Sequence, residues 1–88
     1  MADEHTYRDM VRLDPERVES IFRAYGEPVT TVARRHKVMA APTLGAALKT
    51  AAAGAPMRHW RASRLARSLG VSVEDLGPEP APPATYRK

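Results

Sequence analysis

The residues in this sequence whose type and spacing could do chemistry are its cations, and the chemistry they suggest is the binding of an anion. Residues 29–70 contain eight Lys and Arg side chains and no Asp or Glu, which gives this stretch a formal charge of +8. Because no acid in the segment can pair with these cations, their field favours a polyanion, and nucleic acid is the first candidate. The eight cations are Arg34, Arg35, Lys37, Lys49, Arg58, Arg61, Arg64 and Arg67.

The rest of the chain has the opposite sign. Residues 1–28 sum to −3 and residues 71–88 to −1, so the 88-residue chain has a net charge of +4. A GC-rich genome would account for many Arg and Ala codons, but it would not remove the acids from one segment. The asymmetry therefore indicates a functional basic face, and the simpler alternative is a solvated surface.

Side chains that catalyse reactions or bind metals do not occur in the spacings that such sites need. The chain has no cysteine and only three histidines, which lack the spacing of metal ligands. Its serines lie in no G-x-S-x-G sequence. Glu74 and Asp75 look like paired catalytic carboxylates, but helix capping with Ser72 explains them better. We therefore expect no enzyme activity, no catalytic or metal site and no cofactor.

The sequence predicts neither a membrane span nor a secretion signal. Its uncharged stretches are rich in alanine and are interrupted, for example at Pro42, Lys49 and Gly54, well short of the roughly 20 apolar residues of a span. The first residues include Asp3 and Glu4, where a signal peptide would be basic. We expect a cytoplasmic protein without a membrane partner.

Apolar spacing and capping residues predict five short helices. The first begins after Asp14 and ends before Gly26, and the second runs from Pro28 to near Val38.

A third helix is predicted to begin at Pro42 and to stop before Gly54. A fourth begins near Trp60, with its indole turned toward the core, and closes at Gly70. A short fifth helix follows Ser72.

These elements predict an all-α fold, a compact bundle of about five short helices in residues 14–77. Residues 1–13 could form a strand, a helical extension or an arm that is flexible or dimer-forming. Residues 78–88 are rich in proline, and we expect a disordered tail there.

Short motifs in and after the second helix match a family of DNA-binding proteins, and on these matches residues 14–77 resemble the lambda-repressor-like (Cro-type) helix-turn-helix family. Where that family has Gly in the turn between helices 2 and 3, this sequence has His36 and Lys37, which would have to enter the left-handed region at some cost or reshape the turn. The matching segments are Val32-Ala33, Val38, Leu44, Leu48 and residues 64–76.

The resemblance implies that helix 3 enters the major groove of double-stranded DNA, where side chains contact base edges. It also implies a homodimer that reads two half-sites. The base contacts would be Thr43, Ala46, Lys49 and Thr50. The phosphate contacts would be Arg34, Arg35, Lys37, Arg58, Arg61 and Arg64.

Two functions remain open at this point. The first is a small transcription regulator, such as a phage or mobile-element repressor or an antitoxin, acting at the nucleoid. The second is a protein-interaction module that keeps the fold but has little base readout, and binds a toxin, a regulator or RNA polymerase through its alanine-rich helix 3. Charge reversal at Arg34 and Arg35 is expected to abolish DNA binding in the first case only.

Overall fold

A computed structural model describes residues 10–81 of the chain, which are mostly helical. A small three-stranded sheet accompanies the helices. The elements in chain order are β1 (Met10–Arg12), α1 (Pro15–Tyr25), α2 (Val29–His36), α3 (Ala41–Ala52), β2 (Pro56–Arg58), α4 (His59–Ser68), a 3-10 helix (Val73–Leu76) and β3 (Glu79–Pro80).

Helix α1 has the ends that its sequence predicts. The Asp14 carboxylate accepts a hydrogen bond from the Glu16 backbone N–H at 3.0 Å, and Pro15 occupies the first turn, where no N–H is needed. Gly26 ends the helix with φ +63°, in the left-handed region. Capping residues next to the helix therefore determine both ends of α1.

Helix α2 ends earlier than predicted, at His36 rather than near Val38. The reason is Lys37, which has φ +56° and is the one non-glycine residue with positive φ among residues 10–81. Its N–H still donates to the Ala33 carbonyl at 3.0 Å, which completes the last turn. A left-handed conformation costs a side-chain-bearing residue about 1–2 kcal/mol, so the turn into α3 is made at some expense of stability.

Trp60 does not turn toward the core, so that prediction was wrong. Its side chain is 58% exposed in the first turn of α4. The inward face of this helix is formed by Ala62, Leu65 and Ala66, and Trp60 lies about 200° around the helix from Ala62. Met57 of β2, which is 2% exposed, fills the core just before the helix begins.

The sheet was not predicted, and the fold is mostly helical rather than all-α. β1 lies between two antiparallel neighbours, with Val11 opposite Met57 in β2 and Arg12 opposite Glu79 in β3. A strand was one of the three possibilities for residues 1–13, and the structure has it at Met10–Arg12. The other possibilities for that segment concern residues 1–9, which lie outside the described part.

The start of the proline-rich segment is ordered, contrary to the prediction of a disordered tail over 78–88. Glu79 and Pro80 pair with β1, and the Ala81 N–H donates to the Met10 carbonyl at 3.1 Å. Pro80 is accommodated because β3 is an edge strand. Residues 82–88 lie outside the described part of the chain.

The predicted fifth helix is a single 3-10 turn. The Ser72 N–H donates to the Asp75 carboxylate at 3.1 Å, as the capping interpretation requires. Leu76 of this turn is fully buried against the helices.

Buried leucine, valine, alanine and methionine side chains from all four helices and the sheet form one core. At its edge the Tyr25 hydroxyl donates to the Leu69 carbonyl at 2.6 Å and lies 2.9 Å from His36 Nε2. Because the Tyr25 hydroxyl has one proton and donates it to Leu69, the hydrogen bond with His36 requires Nε2–H to donate to the hydroxyl oxygen. This network ties the ends of α1, α2 and α4 together. No helix among residues 10–81 is both long enough and apolar enough to cross a membrane.

Candidate nucleic-acid interface

Helices α2 and α3 form the helical pair that the sequence predicts, joined by residues 37–40. The buried Val32 and Ala33 of α2 pack into the same core as Leu44 and Ala47 of α3. This packing fixes α3 beside α2 and leaves the opposite side of α3 facing solvent. That solvent-facing side of α3 is available for a surface contact.

The four residues predicted to contact bases share this outer side of α3. Thr43, Ala46 and Lys49 are exposed, and Thr50 is half-buried. The spacing of three or four residues between Thr43, Ala46 and Thr50 places them on one strip of the helix. The Thr50 hydroxyl donates to the Ala46 carbonyl at 3.1 Å, so it is the methyl group of Thr50 that is left to make a contact.

Arg34 and Lys37 lie at the beginning of α3. Together with Ala40 and Ala41 they line a shallow hollow on the surface. Ala40 is the N-cap of α3 and provides no side-chain hydrogen bond to the first turn. Two exposed cations therefore stand beside the positive end of a helix dipole, an arrangement that attracts an anion.

Arg35 is placed differently from its neighbours, although the sequence predicts the same role for it. Its Nη2 donates to both carboxylate oxygens of Glu27, at 2.6 and 2.7 Å. Its guanidinium carbon also lies 5.8 Å from the centroid of the Tyr25 ring. The hydrogen bond to Glu27 raises the pKa of Arg35 above its ordinary value, so Arg35 is a fully charged group whose charge is already matched.

A second group of cations follows the other end of α3. Arg58 and Arg64 are exposed and Arg61 is half-buried, around the first two turns of α4. β2 connects these residues along the chain to the C-terminal end of α3, whereas Arg34 and Lys37 lie beside its N-terminal end.

Seven of the eight cations in residues 29–70 have no ion-pair partner within residues 10–81. The three ion pairs found there are Arg17 with Asp14, Arg23 with Glu19, and Arg35 with Glu27. Among residues 10–81, most of the positive charge of this stretch therefore has no acid paired with it, and cations both precede and follow α3 in the chain. Arg67, for which the sequence suggests only a solvated position, is also exposed on α4.

An apolar groove of about 460 Å³ lies on another side of α3, between α3 and α1. Glu19 of α1 and Lys49 of α3 carry the charges along it. Gly45 borders the groove from inside α3, and a Cβ added there would meet no heavy atom within 4 Å. The apolar lining consists of Pro15, Val18, Phe22, Val29, Leu48 and Ala52.

Sequence reasoning found the groups at both ends of α3 but missed two features. One is the ion pair of Arg35, for which Glu27, eight residues earlier, gave no regular spacing signal. The other is the exposure of Trp60, which its position out of phase with the apolar face of α4 could have indicated. Residues 10–81 hold no group of three or more His, Asp or Glu side chains that could bind a metal ion.

Comparisons of the chain with protein-family models, with curated proteins and with solved structures found no match.

Proposed function

We propose that this protein is a small helix-turn-helix regulator of transcription that binds double-stranded DNA through α3 and acts at the nucleoid in the cytoplasm. The observation that carries the proposal is the set of unpaired cations at both ends of α3. Seven cations of one stretch have no ion-pair partner among residues 10–81, and their mutual repulsion destabilises the fold, whereas a polyanion would neutralise them.

In this proposal the N-terminal half of α3 enters the major groove. The Thr43 hydroxyl can hydrogen bond a base edge, and Ala46 with the Thr50 methyl can contact thymine methyl groups. Lys49 can reach a guanine acceptor or a phosphate. With one hydroxyl and one ammonium as its polar groups, this surface reads few bases directly.

Phosphates supply most of the binding free energy in the proposed complex. Arg34 and Lys37 would bind the backbone at the beginning of α3, and Arg58, Arg61 and Arg64 would bind it beyond the other end. Such contacts fix the register of α3 in the groove. A homodimer would add specificity by reading two half-sites about 34 Å apart.

The test compares two double variants with the same change of charge. Arg34→Gln with Lys37→Gln should weaken binding of duplex DNA about tenfold or more and lower its salt dependence, because two phosphate contacts are lost. The control, Arg17→Gln with Arg23→Gln, removes two exposed cations of α1 that are paired with Asp14 and Glu19. The DNA would be the sequences retained from a randomised duplex pool at near-physiological salt. Equal losses in the two variants, or no retained DNA, would contradict the proposal.

The apolar groove favours a second candidate function, association with another protein. For its occupant we propose a second copy of this chain, because the groove has one acid on the α1 side and one base on the α3 side. A two-fold axis through the groove would bring Glu19 of each copy to Lys49 of the other, over the apolar lining. Gly45 would let the partner approach α3 closely.

Sedimentation measures this association directly. Glu19→Lys should weaken the dimer by placing like charges together, and adding Lys49→Glu should restore it, because the two charges are exchanged. A chain that stays monomeric at high concentration would exclude the second copy as the occupant. A dimer that both variants leave unchanged would exclude the groove as the interface.

A further inference from the structure

Trp60 is an exposed residue that the fold does not explain. It is the only tryptophan in the chain, and 58% of its side chain is in contact with solvent. The core around it is complete without it, since Met57 is 2% exposed and Ala62 is fully buried. Large exposed aromatic side chains are common where a protein binds a partner.

The surroundings of Trp60 are cationic. Arg58 and His59 precede it and are exposed, and the guanidinium carbon of Arg64 lies 5.9 Å from the centroid of its ring. Neither arginine forms an ion pair within residues 10–81. An apolar protein partner would leave these charges unmatched, whereas a nucleotide offers a flat ring or sugar together with phosphates.

We propose that Trp60, with Arg58, His59 and Arg64, is a second contact with nucleic acid. In this contact the indole packs against a nucleoside, and the neighbouring cations bind the adjoining phosphates. The inference rests on the proposed DNA-binding function and extends it. It adds an aromatic contact from the first turn of α4, which follows α3 and β2 in the chain.

Because the chain has one tryptophan, its fluorescence reports on this site alone. The protein is titrated with a dye-labelled duplex, and the tryptophan emission and the anisotropy of the dye are recorded together. We expect the emission to change and to saturate at the same duplex concentration as the anisotropy. A single strand of the same sequence is titrated in parallel.

Substitutions separate the indole from the charges. Trp60→Ala should weaken duplex binding about tenfold, and Trp60→Phe should retain most of the affinity, because an aromatic ring is kept. Arg64→Gln should weaken binding, whereas the matched control Arg67→Gln, three residues further along α4 and also exposed, should not. Circular dichroism and thermal unfolding would show that each variant is folded.

Failure of this inference can be told apart from failure of the proposed function. Duplex binding with unchanged emission, and with equal affinity of Trp60→Ala, would overturn the Trp60 contact and leave the function of α3 standing. Emission that responds to the single strand but not to the duplex would support the Trp60 contact and overturn the proposal for α3. If neither strand form binds, both proposals fail.

Discussion

Helices α1 and α2 follow one another in the chain but satisfy their ends and charges in opposite ways. α1 has a side-chain cap at Asp14 and a glycine at its C-terminal end, and both of its arginines are paired with acids. α2 begins after Pro28 without a side-chain cap and ends at a left-handed lysine. Of its two arginines, only Arg35 is paired with an acid in the described part of the chain.

The contrast shows which charges of the chain are neutralised by its own acids and which are not. The two arginines of α1 are each paired with an acid one turn earlier, so these pairs add modestly to the stability of the helix. Apart from Arg35, the cations from α2 to α4 form no ion pair among residues 10–81, and their mutual repulsion lowers the stability of the free protein. That part of the molecule would gain stability from binding an anion.

The largest expected effect is on the salt dependence of DNA binding. It measures how many of the unpaired cations contact phosphates. The five unpaired cations proposed to contact phosphate predict a slope of about −4.5 for log K against log salt concentration. Raising the salt from about 50 to about 200 mM should then weaken binding about 500-fold. Anisotropy titrations at four salt concentrations measure the slope. A slope near zero would show that these cations do not contact DNA.

Substitutions of the left-handed residues that end α1 and α2 should change the free energy of unfolding in opposite directions. Gly26→Ala at φ +63° should destabilise the protein by about 1 kcal/mol, and Lys37→Gly at φ +56° should stabilise it by a similar amount. Urea unfolding with an unchanged m-value gives both differences. Lys37→Gly should also weaken DNA binding. A variant more stable and equally tight in binding would show that Lys37 is no contact.

The N-terminal caps offer a smaller and independent comparison. Asp14→Ala removes the hydrogen bond to the Glu16 N–H and should cost about 1 kcal/mol. Ala40→Ser gives α3 the cap that it lacks and should stabilise the protein by about 0.5–1 kcal/mol. Thermal unfolding of both variants checks the signs. No gain from Ala40→Ser would indicate that the first turn of α3 is already satisfied.

The smallest expected effect comes from breaking the ion pair between Arg35 of α2 and Glu27. Glu27→Gln removes the charge that holds Arg35 and lets its guanidinium reach a phosphate. DNA affinity should rise about two- to threefold, and the salt slope should steepen by about 0.9. The same anisotropy titrations measure this change. An unchanged slope would place Arg35 away from the DNA.

Much of the helical framework could be predicted from the sequence, because capping residues and apolar spacing act locally. Asp14, Gly26, Gly70 and Gly77 lie at or beside the ends of elements, as their types predict. A left-handed residue between α2 and α3 was one of two possibilities, the other being a reshaped turn, and Lys37 is the residue that adopts it.

The rest depends on contacts between distant parts of the chain. The three strands are only two or three residues long, too short for an alternating pattern to be recognised. Trp60 was predicted to turn toward the core from the beginning of α4, whereas Met57 from β2 is the side chain buried just before that helix. At the candidate site the residue types were identified, but the pairing of Arg35 with Glu27 needed the positions of both side chains.

The sheet joins β1 and β3, two strands separated by nearly the whole described chain, with all four helices between them. During synthesis β1 leaves the ribosome long before Glu79 and Pro80 exist, so its second partner arrives last. A chain stopped after α4 would leave one edge of β1 unpaired. Such an edge is a site for misassociation between nascent chains on one messenger, and β3 closes it when synthesis reaches that strand.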